Sequence, residues 1–202
     1  MFFSFDGLDG VGKTTQRELF LSWLRAAGHD VVTCQDPGST PLGEAIRGIL
    51  LGHQVPLAVT SEMLLFMAAR AQLVEDVIRP ALAESKTVVS DRYLLANAVY
   101  QGHAAGLDIE TIWQIGRVAT AGVMPDLVFV LDMPPRAAVA RIARDLDRLE
   151  SRGAEYQARL RAGFLAEAAK DPQRIVVIDA ARDIDAVQSD IRAAAARVLK
   201  AG

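Results

Sequence analysis

Residues 7–14 read Gly-Leu-Asp-Gly-Val-Gly-Lys-Thr and fit the pattern G-x-x-x-x-G-K-[ST]. The apolar run FFSF over residues 2–5 precedes this loop, and a helix-forming stretch over residues 13–27 follows it. A strand, a glycine-rich loop and a helix in this order are the context that the pattern requires. Glycines let backbone N–H groups turn toward phosphate oxygens, and the helix N-terminus adds partial positive charge. The loop therefore predicts a site for nucleotide phosphates.

Two side chains at the end of the loop carry the chemistry of such a site. Lys13 is expected to reach the β and γ phosphates of a nucleotide, and the hydroxyl of Thr14 is expected to bind Mg²⁺. The alternative is a glycine-rich turn with an exposed lysine. The residues predicted to bind the nucleotide are Gly7, Leu8, Asp9, Gly10, Val11, Gly12, Lys13, Thr14 and Thr15.

Asp9 is the one acid inside the loop. A carboxylate beside bound phosphates would be repelled unless it faced elsewhere, so Asp9 is predicted to face a second ligand or the metal. The alternative is a loop acid that points to solvent, as surface acids usually do.

Apolar runs that resemble strands alternate with helical stretches along the rest of the chain. This alternation predicts an α/β fold with a parallel sheet covered by helices on both faces. Asp6, Asp91 and Asp132 each follow a predicted strand, at the sheet edge where ligands collect in open α/β sheets. The predicted strands are Phe2–Phe5, Val31–Cys34, Thr87–Ser90, Leu127–Leu131 and Ile175–Ile178. The predicted helices are Lys13–Ala27, Pro41–Leu51, Ser61–Glu84, Asp108–Ala121, Pro134–Arg144, Glu155–Ala169 and Ile184–Lys200.

Composition limits the class of protein. The chain has 202 residues, 51% of them hydrophobic, and a formal net charge of -3, which predicts a single compact domain over residues 1–202. No overall positive field attracts nucleic acid or an anionic membrane, so a polyanionic ligand must meet a local cluster of bases. Cys34 is the only cysteine, which excludes an intramolecular disulfide and favours a reducing, cytoplasmic location. No apolar run reaches the length of a membrane span.

Four segments outside the loop could build a pocket for a second substrate. Residues 36–44 follow the second predicted strand, Phe66 and Arg70 stand one helical turn apart, residues 91–93 (Asp-Arg-Tyr) close the third strand, and residues 100–102 (Tyr-Gln-Gly) are expected to begin a loop. An aromatic face suits a pyrimidine ring, and an arginine fork suits a phosphate. The alternatives are that Phe66 belongs to the core and that Asp91-Arg92 is a structural ion pair.

Residues 141–161 differ in composition from the rest of the chain. They carry six arginines and four acids. Guanidinium groups of this kind can close over a transferring phosphoryl group, stabilise its charge and exclude water. The alternative is a solvated helix with alternating salt-bridged charges.

Taken together, these motifs resemble the bacterial thymidylate kinases, which are P-loop nucleoside monophosphate kinases. The family pattern F-x-G-x-D-G-x-G-K-[ST]-T-Q is met by residues 5–16, and the segments PGSTPLGEAIR, IRPAL, DRY, YQG, PDL, LD and DRLE follow in family order. The resemblance covers nearly the whole chain. It implies a P-loop NTPase fold with strand order 2-3-1-4-5, transfer of the γ-phosphoryl group of ATP to dTMP to give dTDP, and a homodimer.

The resemblance also implies roles for residues of the acceptor site. Asp9 would hold the sugar 3′-hydroxyl or the metal shell, and Arg92 would hold the acceptor phosphate. Phe66 would stack on thymine and Arg70 would donate to its O4. Tyr100 would crowd the 2′ position and so favour deoxyribose. The predicted substrate-binding set is completed by Asn97 and Gln101.

For catalysis, the resemblance assigns Asp91 to the magnesium ion together with Thr14. Family members with glycine rather than arginine at the position of Gly10 draw their catalytic arginines from a lid. Arg144 and Arg148 fit such a lid, over about residues 141–155. The predicted catalytic residues are Lys13, Arg92, Arg144 and Arg148.

The chain departs from the family pattern on the acceptor side. Gln35 and Ser39 stand where the family has arginine and glycine around its Glu-Pro-Gly, Ala69 replaces an acid, Ala96 replaces a serine and Val99 replaces an alanine. These positions leave two alternatives open. One is a diverged deoxynucleotide kinase with another acceptor, and the other is a nucleotide-dependent switch or binding protein that passes no phosphate to a small acceptor.

Overall fold

The computed structural model describes residues 1–52, 56–142 and 152–199 of the chain. Its strands are β1 (Phe2–Gly7), β2 (Val31–Gln35), β3 (Thr87–Asp91), β4 (Leu127–Asp132) and β5 (Ile175–Asp179). Its α-helices are α1 (Lys13–Ala26), α2 (Pro41–Leu51), α3 (Val59–Leu73), α4 (Arg79–Ala83), α5 (Leu94–Asn97), α6 (Ile109–Ala119), α7 (Pro135–Val139), α8 (Ala154–Lys170) and α9 (Ile184–Leu199). Two π-helical segments, Val74–Ile78 and Ala98–Ala104, lie between them.

The five strands form one parallel sheet in the order β2-β3-β1-β4-β5. Phe5 of β1 pairs with Asp91 of β3, and Gly7 pairs with Leu131 of β4. The α/β fold and the strand order are therefore confirmed. The central position of β1 puts the glycine-rich loop in the middle of the carboxyl edge of the sheet, where β3 also ends.

The core packs around the phenylalanines of the central strands. Phe3 and Phe5 of β1 contact Phe20 of α1 and Phe129 of β4, with ring centroids 4.9–6.0 Å apart. These rings are fully buried, and aromatic pairs at such distances add to the burial of apolar area. Residues of β1 are buried on both faces, as expected of a central parallel strand. This packing fixes the start of the loop on a rigid element.

Three predictions of local structure differ from the structure. The helix predicted over residues 134–144 is the short α7 and ends at Val139, followed by a turn at residues 140 and 141. The stretch predicted as one helix over 61–84 consists of α3, the π-helical segment Val74–Ile78 and α4. Pro80 has no N–H for the regular ladder, and the N–H of Arg79 bonds to the carbonyl of Val74 in a wider turn. Residues 100–102, expected to begin a loop, lie in the π-helical segment Ala98–Ala104 and are buried, so that expectation was wrong.

Ends of other helices agree with the sequence pattern. Asp108 caps α6, since its side chain accepts from the N–H of Thr111 at 2.7 Å. Gly28 follows α1 with a φ of 88°, as expected just past a helix C-terminus. Among the described residues, no helix has the length and apolar character needed to cross a membrane.

Candidate active site

Backbone geometry of the loop explains why glycines stand where they do. Gly7 has a φ of 124°, and a Cβ atom there would lie 2.4 Å from the carbonyl oxygen of Leu131. Gly10 has a φ of 82°, and a Cβ atom there would lie 2.0 Å from the carbonyl oxygen of Ala138. Both positions need a left-handed backbone and a close approach to another chain segment, which only glycine permits. The loop therefore turns sharply between β1 and α1.

Lys13 begins α1 and folds back over the loop. Its Nζ donates to the carbonyl oxygens of Leu8 at 2.7 Å and Gly7 at 3.2 Å, and to Asp9 Oδ1 at 3.3 Å. Burial and the neighbouring Arg92 lower the pKa of this lysine. The ammonium group is thus held inside the loop by oxygens, where a phosphate oxygen can take over one of these bonds.

Asp9 accepts hydrogen bonds from three side chains. Its Oδ1 accepts from Lys13 and, at 2.6 Å, from Nη2 of Arg92, and its Oδ2 accepts from the hydroxyl of Tyr100 at 3.3 Å. Burial alone would raise the pKa of this carboxyl, but Arg92 and Lys13 hold it well below its usual range. Asp9 is 28% exposed and engaged on both oxygens, so it does not simply point to solvent.

Arg92 adopts an unusual backbone conformation directly after β3. Its φ is 65°, in the left-handed region that favours glycine, and its carbonyl accepts from Ser90 Oγ at 2.6 Å. Nη1 of Arg92 donates to the carbonyl of Gly7 at 3.1 Å, and its guanidinium lies 5.1 Å from the centre of the Tyr100 ring. Non-glycine residues held in this region cluster at functional sites. The conformation aims the guanidinium at the loop.

Asp91 ends β3 beside the loop. Its Oδ2 accepts from Nη1 of Arg17 on α1 at 3.2 Å. Thr14 lines the same cleft, so a hydroxyl and a carboxylate stand on neighbouring elements there. Of the three aspartates predicted at strand ends, only Asp91 lines the cleft, because Asp132 forms a double hydrogen bond with Arg161 and Asp6 faces a second cavity.

Arg70 and Asp36 form a buried ion pair at one side of the cleft. Nε of Arg70 donates to Oδ2 of Asp36 at 2.5 Å, and Arg70 is only 1% exposed. Burial raises the pKa of Asp36, and Arg70 counteracts this. Phe66 lies one turn before Arg70, lines the cleft and also packs against the core, so the two interpretations of Phe66 are compatible.

These elements enclose a cleft of about 670 Å³ along the carboxyl edge of the sheet. Among the described residues that line it, the bases outnumber the acids. The bases are Lys13, Arg47, Arg70, Arg92, Arg141 and Arg182, and the acids are Asp9, Asp36, Asp91 and Asp183. A chain of net charge -3 thus carries a local surplus of positive charge in the cleft. Such a surplus suits a phosphorylated ligand.

The cleft brings together most of the residues predicted from sequence. Those that line it are Asp9, Gly10, Val11, Gly12, Lys13, Thr14, Thr15, Phe66, Arg70, Asp91, Arg92, Asn97, Tyr100 and Gln101. Gly7 and Leu8 belong to the loop but do not line the cleft. Arg144 and Arg148 lie outside the described residues. Gln35 and Ala96 line the cleft, whereas Ser39 and Ala69 do not.

Arg47, Arg141 and Arg182 line the cleft but were not predicted as site residues. Nη1 of Arg47 donates to the carbonyl of Pro37 at 3.0 Å, which places it beside the loop after β2. The signal for Arg47 was its position in the segment PGSTPLGEAIR, three residues after Glu44 on a predicted helix. Arg182 follows β5, and no motif marks it.

Asp6 gives a pH-dependent contribution to stability. The residue is fully buried, Ser4 Oγ donates to its Oδ2 at 2.8 Å, and its Oδ1 has no hydrogen-bond partner among the described residues. Burial raises the pKa of Asp6 to about 6, although Arg92 lowers it in part. The folded chain therefore holds this proton more tightly than the unfolded chain, so Asp6 stabilises the fold at low pH and loses that contribution as pH rises through about 6.

We expect Asp6→Asn to remove this titration. The melting temperature of the variant relative to the unsubstituted chain should rise between pH 4.5 and pH 8, and the free energy of unfolding should shift in the same direction by about 2 kcal/mol. Thermal unfolding at a series of pH values measures the difference. Ser4→Ala, which keeps the carboxylate, serves as the control because it should retain the pH dependence. Parallel curves for Asp6→Asn and the unsubstituted chain would contradict the assignment.

The sequence is similar to known thymidylate kinases over nearly its whole length. A family model described as thymidylate kinase matches residues 5–191. Thymidylate kinase of Pelotomaculum thermopropionicum is 46% identical over 207 residues, covering 99% of this chain and 94% of its own length. Thymidylate kinase of Rhodopirellula baltica is 44% identical over 188 residues, covering 93% of this chain and 77% of its own length.

A solved structure agrees with these sequence matches. The crystal structure of thymidylate kinase from Ehrlichia chaffeensis superimposes with a TM-score of 0.79 at 32% identity and covers 95% of this chain and 96% of its own. The family match spans the loop, the buried Arg70 and the Asp91-Arg92-Tyr93 segment alike. The chain therefore belongs to the thymidylate kinase family.

Proposed function

We propose that the protein transfers the γ-phosphoryl group of ATP to dTMP and so forms dTDP. The observation that carries this proposal is the contact of Asp9 with both Lys13 and Arg92. Lys13 belongs to the loop that would bind the donor, and Arg92 belongs to the segment that would bind the acceptor phosphate. A single carboxylate thus links the proposed donor side of the cleft to the proposed acceptor side. Direct transfer requires that both nucleotides bind next to each other in one cleft.

On the donor side, the loop of residues 7–15 would hold the phosphates of ATP with its backbone N–H groups and the N-terminus of α1. Lys13 would neutralise charge on the β and γ phosphates. The hydroxyl of Thr14 and the carboxylate of Asp91 are hard oxygen ligands that fit Mg²⁺. When bound, this ion would screen the phosphate charge and orient the oxygens of the γ-phosphoryl group.

On the acceptor side, Arg92 would hold the 5′-phosphate of dTMP in line with the γ-phosphoryl group. Phe66 would stack on thymine and Arg70 would donate to its O4. Tyr100 would restrict the 2′ position of the sugar, and its hydroxyl already bonds to Asp9. Asn97 and Gln101 complete the pocket. The attack of a phosphate oxygen on the γ-phosphorus needs no covalent enzyme intermediate.

Arg144 and Arg148 are proposed to supply guanidinium groups to the γ-phosphoryl group from a lid over about residues 141–155. Both lie outside the described residues, so this part of the proposal rests on the sequence. Arg141, at the described edge of the lid, lines the cleft. The lid would belong to one kinase domain over residues 1–202.

We further propose that the protein is a cytoplasmic homodimer. Leu64 of α3, Ile49 of α2 and Val118 of α6 are large apolar side chains, 43–83% exposed, on the helical surface. Burying such residues against a second copy of the chain would remove apolar area from water. The single Cys34 is buried, which fits a reducing compartment. Analytical ultracentrifugation tests the dimer.

A coupled assay with ATP and Mg²⁺ against dTMP, dUMP, dCMP, dGMP and free thymidine tests the function. We expect dTMP to give the highest kcat/KM, by at least about tenfold over dUMP, because the 5-methyl group adds apolar contact beside Phe66. Thymidine should not react, since it lacks the phosphate that Arg92 would hold. Turnover led by another monophosphate would make the protein a diverged deoxynucleotide kinase. ATP hydrolysis indifferent to every monophosphate would indicate a switch or binding protein.

A further inference from the structure

A row of hydrogen bonds runs from Arg152, just before α8, to the cleft. Nη2 of Arg152 donates to Oε2 of Glu62 at 2.7 Å, and Nε2 of Gln101 donates to Oε1 of Glu62 at 2.7 Å. Nδ2 of Asn97 then donates to Oε1 of Gln101 at 2.8 Å. Glu62 is fully buried, and Gln101 and Asn97 are nearly so. The row links α3, the π-helical segment and α5 behind the wall of the cleft.

The direction of every bond in this row follows from Glu62. An ionised carboxylate can only accept, so Gln101 must present its amide nitrogen to Glu62 and its amide oxygen to the other side. Because the amide oxygen of Gln101 can only accept, Asn97 must present its own amide nitrogen to that oxygen. Oδ1 of Asn97 has no hydrogen-bond partner in the part of the chain that the structure describes, although the side chain lines the cleft. Buried polar atoms are nearly always paired, which indicates that a ligand supplies a donor to this oxygen.

We propose that Glu62, held by Arg152, determines which pyrimidine the cleft accepts by fixing the orientation of these two amides. This inference rests on the proposed function. Arg70 can only donate and therefore suits the O4 of a pyrimidine, whereas Oδ1 of Asn97 can only accept and therefore suits its N3–H. Thymine and uracil present this pair of groups. Cytosine presents an amino group and an unprotonated N3, which mismatch both residues.

Arg152 makes the effect of a substitution predictable. In Glu62→Gln, the guanidinium of Arg152 still donates and so attracts the new amide oxygen. The amide nitrogen then faces Gln101, which must turn its oxygen toward position 62 and its nitrogen toward Asn97. Asn97 in turn presents its nitrogen, rather than its oxygen, to the cleft. The row reverses as a whole, and the pocket gains a donor suited to the N3 of cytosine.

The test compares purified Glu62→Gln with the unsubstituted enzyme. We expect KM for dTMP and for dUMP to rise together, by about ten- to a hundredfold, because each base loses the same hydrogen bond. KM for dCMP should fall, and kcat for dTMP should change little, since the base lies away from the reacting phosphates. Titration calorimetry with each monophosphate alone should show the same changes in Kd.

Two further variants provide a control and a second test of the row. Glu167→Gln is the matched control, because Glu167 is a buried glutamate that accepts from His103 and Trp113 and does not line the cleft. In this control, the ratio of kcat/KM for dTMP to kcat/KM for dCMP should stay unchanged. Gln101→Met severs the row without reversing it, so the ratio should fall but dCMP should not become preferred. If Glu62→Gln does not fold, an unchanged ratio in Gln101→Met refutes the role of the row, and a ratio that falls while kcat for dTMP stays unchanged supports it.

The outcomes separate the two proposals. If the unsubstituted enzyme prefers dTMP but both folded variants keep its ratio of dTMP to dCMP, the role of Glu62 is refuted and the proposed function stands. If the affinities for dTMP, dUMP and dCMP all fall by the same factor in Glu62→Gln, the role of Glu62 is also refuted, because the loss of a purely structural residue would have that effect. If the unsubstituted enzyme neither binds nor phosphorylates dTMP, the proposed function itself fails.

Discussion

Lys13→Ala is expected to lower kcat for phosphorylation of dTMP by about a thousandfold or more. The ammonium group of Lys13 lies inside the loop, 2.7 Å from the carbonyl of Leu8 and 3.2 Å from that of Gly7. A phosphoryl group in transfer spreads its charge over its oxygens, and a fixed cation in a site of low dielectric stabilises that charge most in the transition state. Alanine removes the cation and leaves the backbone of the loop in place.

This loss should appear in kcat more than in the stability of the fold. Burial lowers the pKa of Lys13, which means that its charge is held at a cost in the folded chain. The melting temperature of the variant should therefore stay close to that of the unsubstituted protein. Lys86→Ala, at a lysine paired with Glu84 on the surface, is the control and should keep full activity. A kcat for Lys13→Ala within tenfold of normal would refute the assignment of the loop.

The fold could be predicted from sequence because its signals are local. Each strand is a short apolar run, and the observed strands extend the predicted ones by only one or two residues, as in β1, which runs to Gly7. The π-helical segment Ala98–Ala104 could not be predicted in this way. Its Tyr-Gln-Gly reads as a turn, but the burial of Val99 and Tyr100 against the core overrides that local preference.

The same distinction explains which parts of the site could be predicted. The loop is contiguous, so its residues and the roles proposed for them follow from one motif. Arg92 is bonded to Asp9, 83 positions away. The strand-end pattern of the neighbouring Asp91 and the family resemblance together suggested that Arg92 and Asp9 belong to one site. Glu62 is bonded to Gln101 and Arg152, at separations of 39 and 90 residues. No sequence pattern marks Glu62, because its role depends on partners that only the tertiary fold brings together.

Asp9 explains why the two sides of the cleft are coupled. Its carboxylate holds Lys13 and Arg92 within 3.3 Å, the two cations that the proposed function assigns to the donor side and to the acceptor side. Lys13 and Arg92 keep the pKa of Asp9 well below its usual range, so its negative charge separates two positive groups that would otherwise repel each other. In the proposed function, this arrangement would preorganise both cations before substrates bind and so reduce the reorganisation needed during transfer.

Arg92→Ala is expected to raise KM for dTMP and to lower kcat, so that kcat/KM for dTMP falls by about a thousandfold. Arg92 reaches the loop through the carbonyl of Gly7 at 3.1 Å and through Asp9 at 2.6 Å, and its left-handed backbone aims the guanidinium into the cleft. The acceptor phosphate would bind to this guanidinium before transfer and, more strongly, during it. Removal should therefore affect both parameters, as loss of a positioning and charge-stabilising group does.

Matched variants make the result specific to the acceptor. Arg92→Lys keeps the charge but loses the planar fork, so it should recover only part of the activity. Arg79→Ala, at an exposed arginine paired with Glu75, should behave as the unsubstituted enzyme. Kd for ATP, measured by calorimetry without dTMP, should change less than threefold in Arg92→Ala, because Lys13 and the loop backbone remain. A variant that loses ATP affinity while KM for dTMP is unchanged would place Arg92 on the donor side instead.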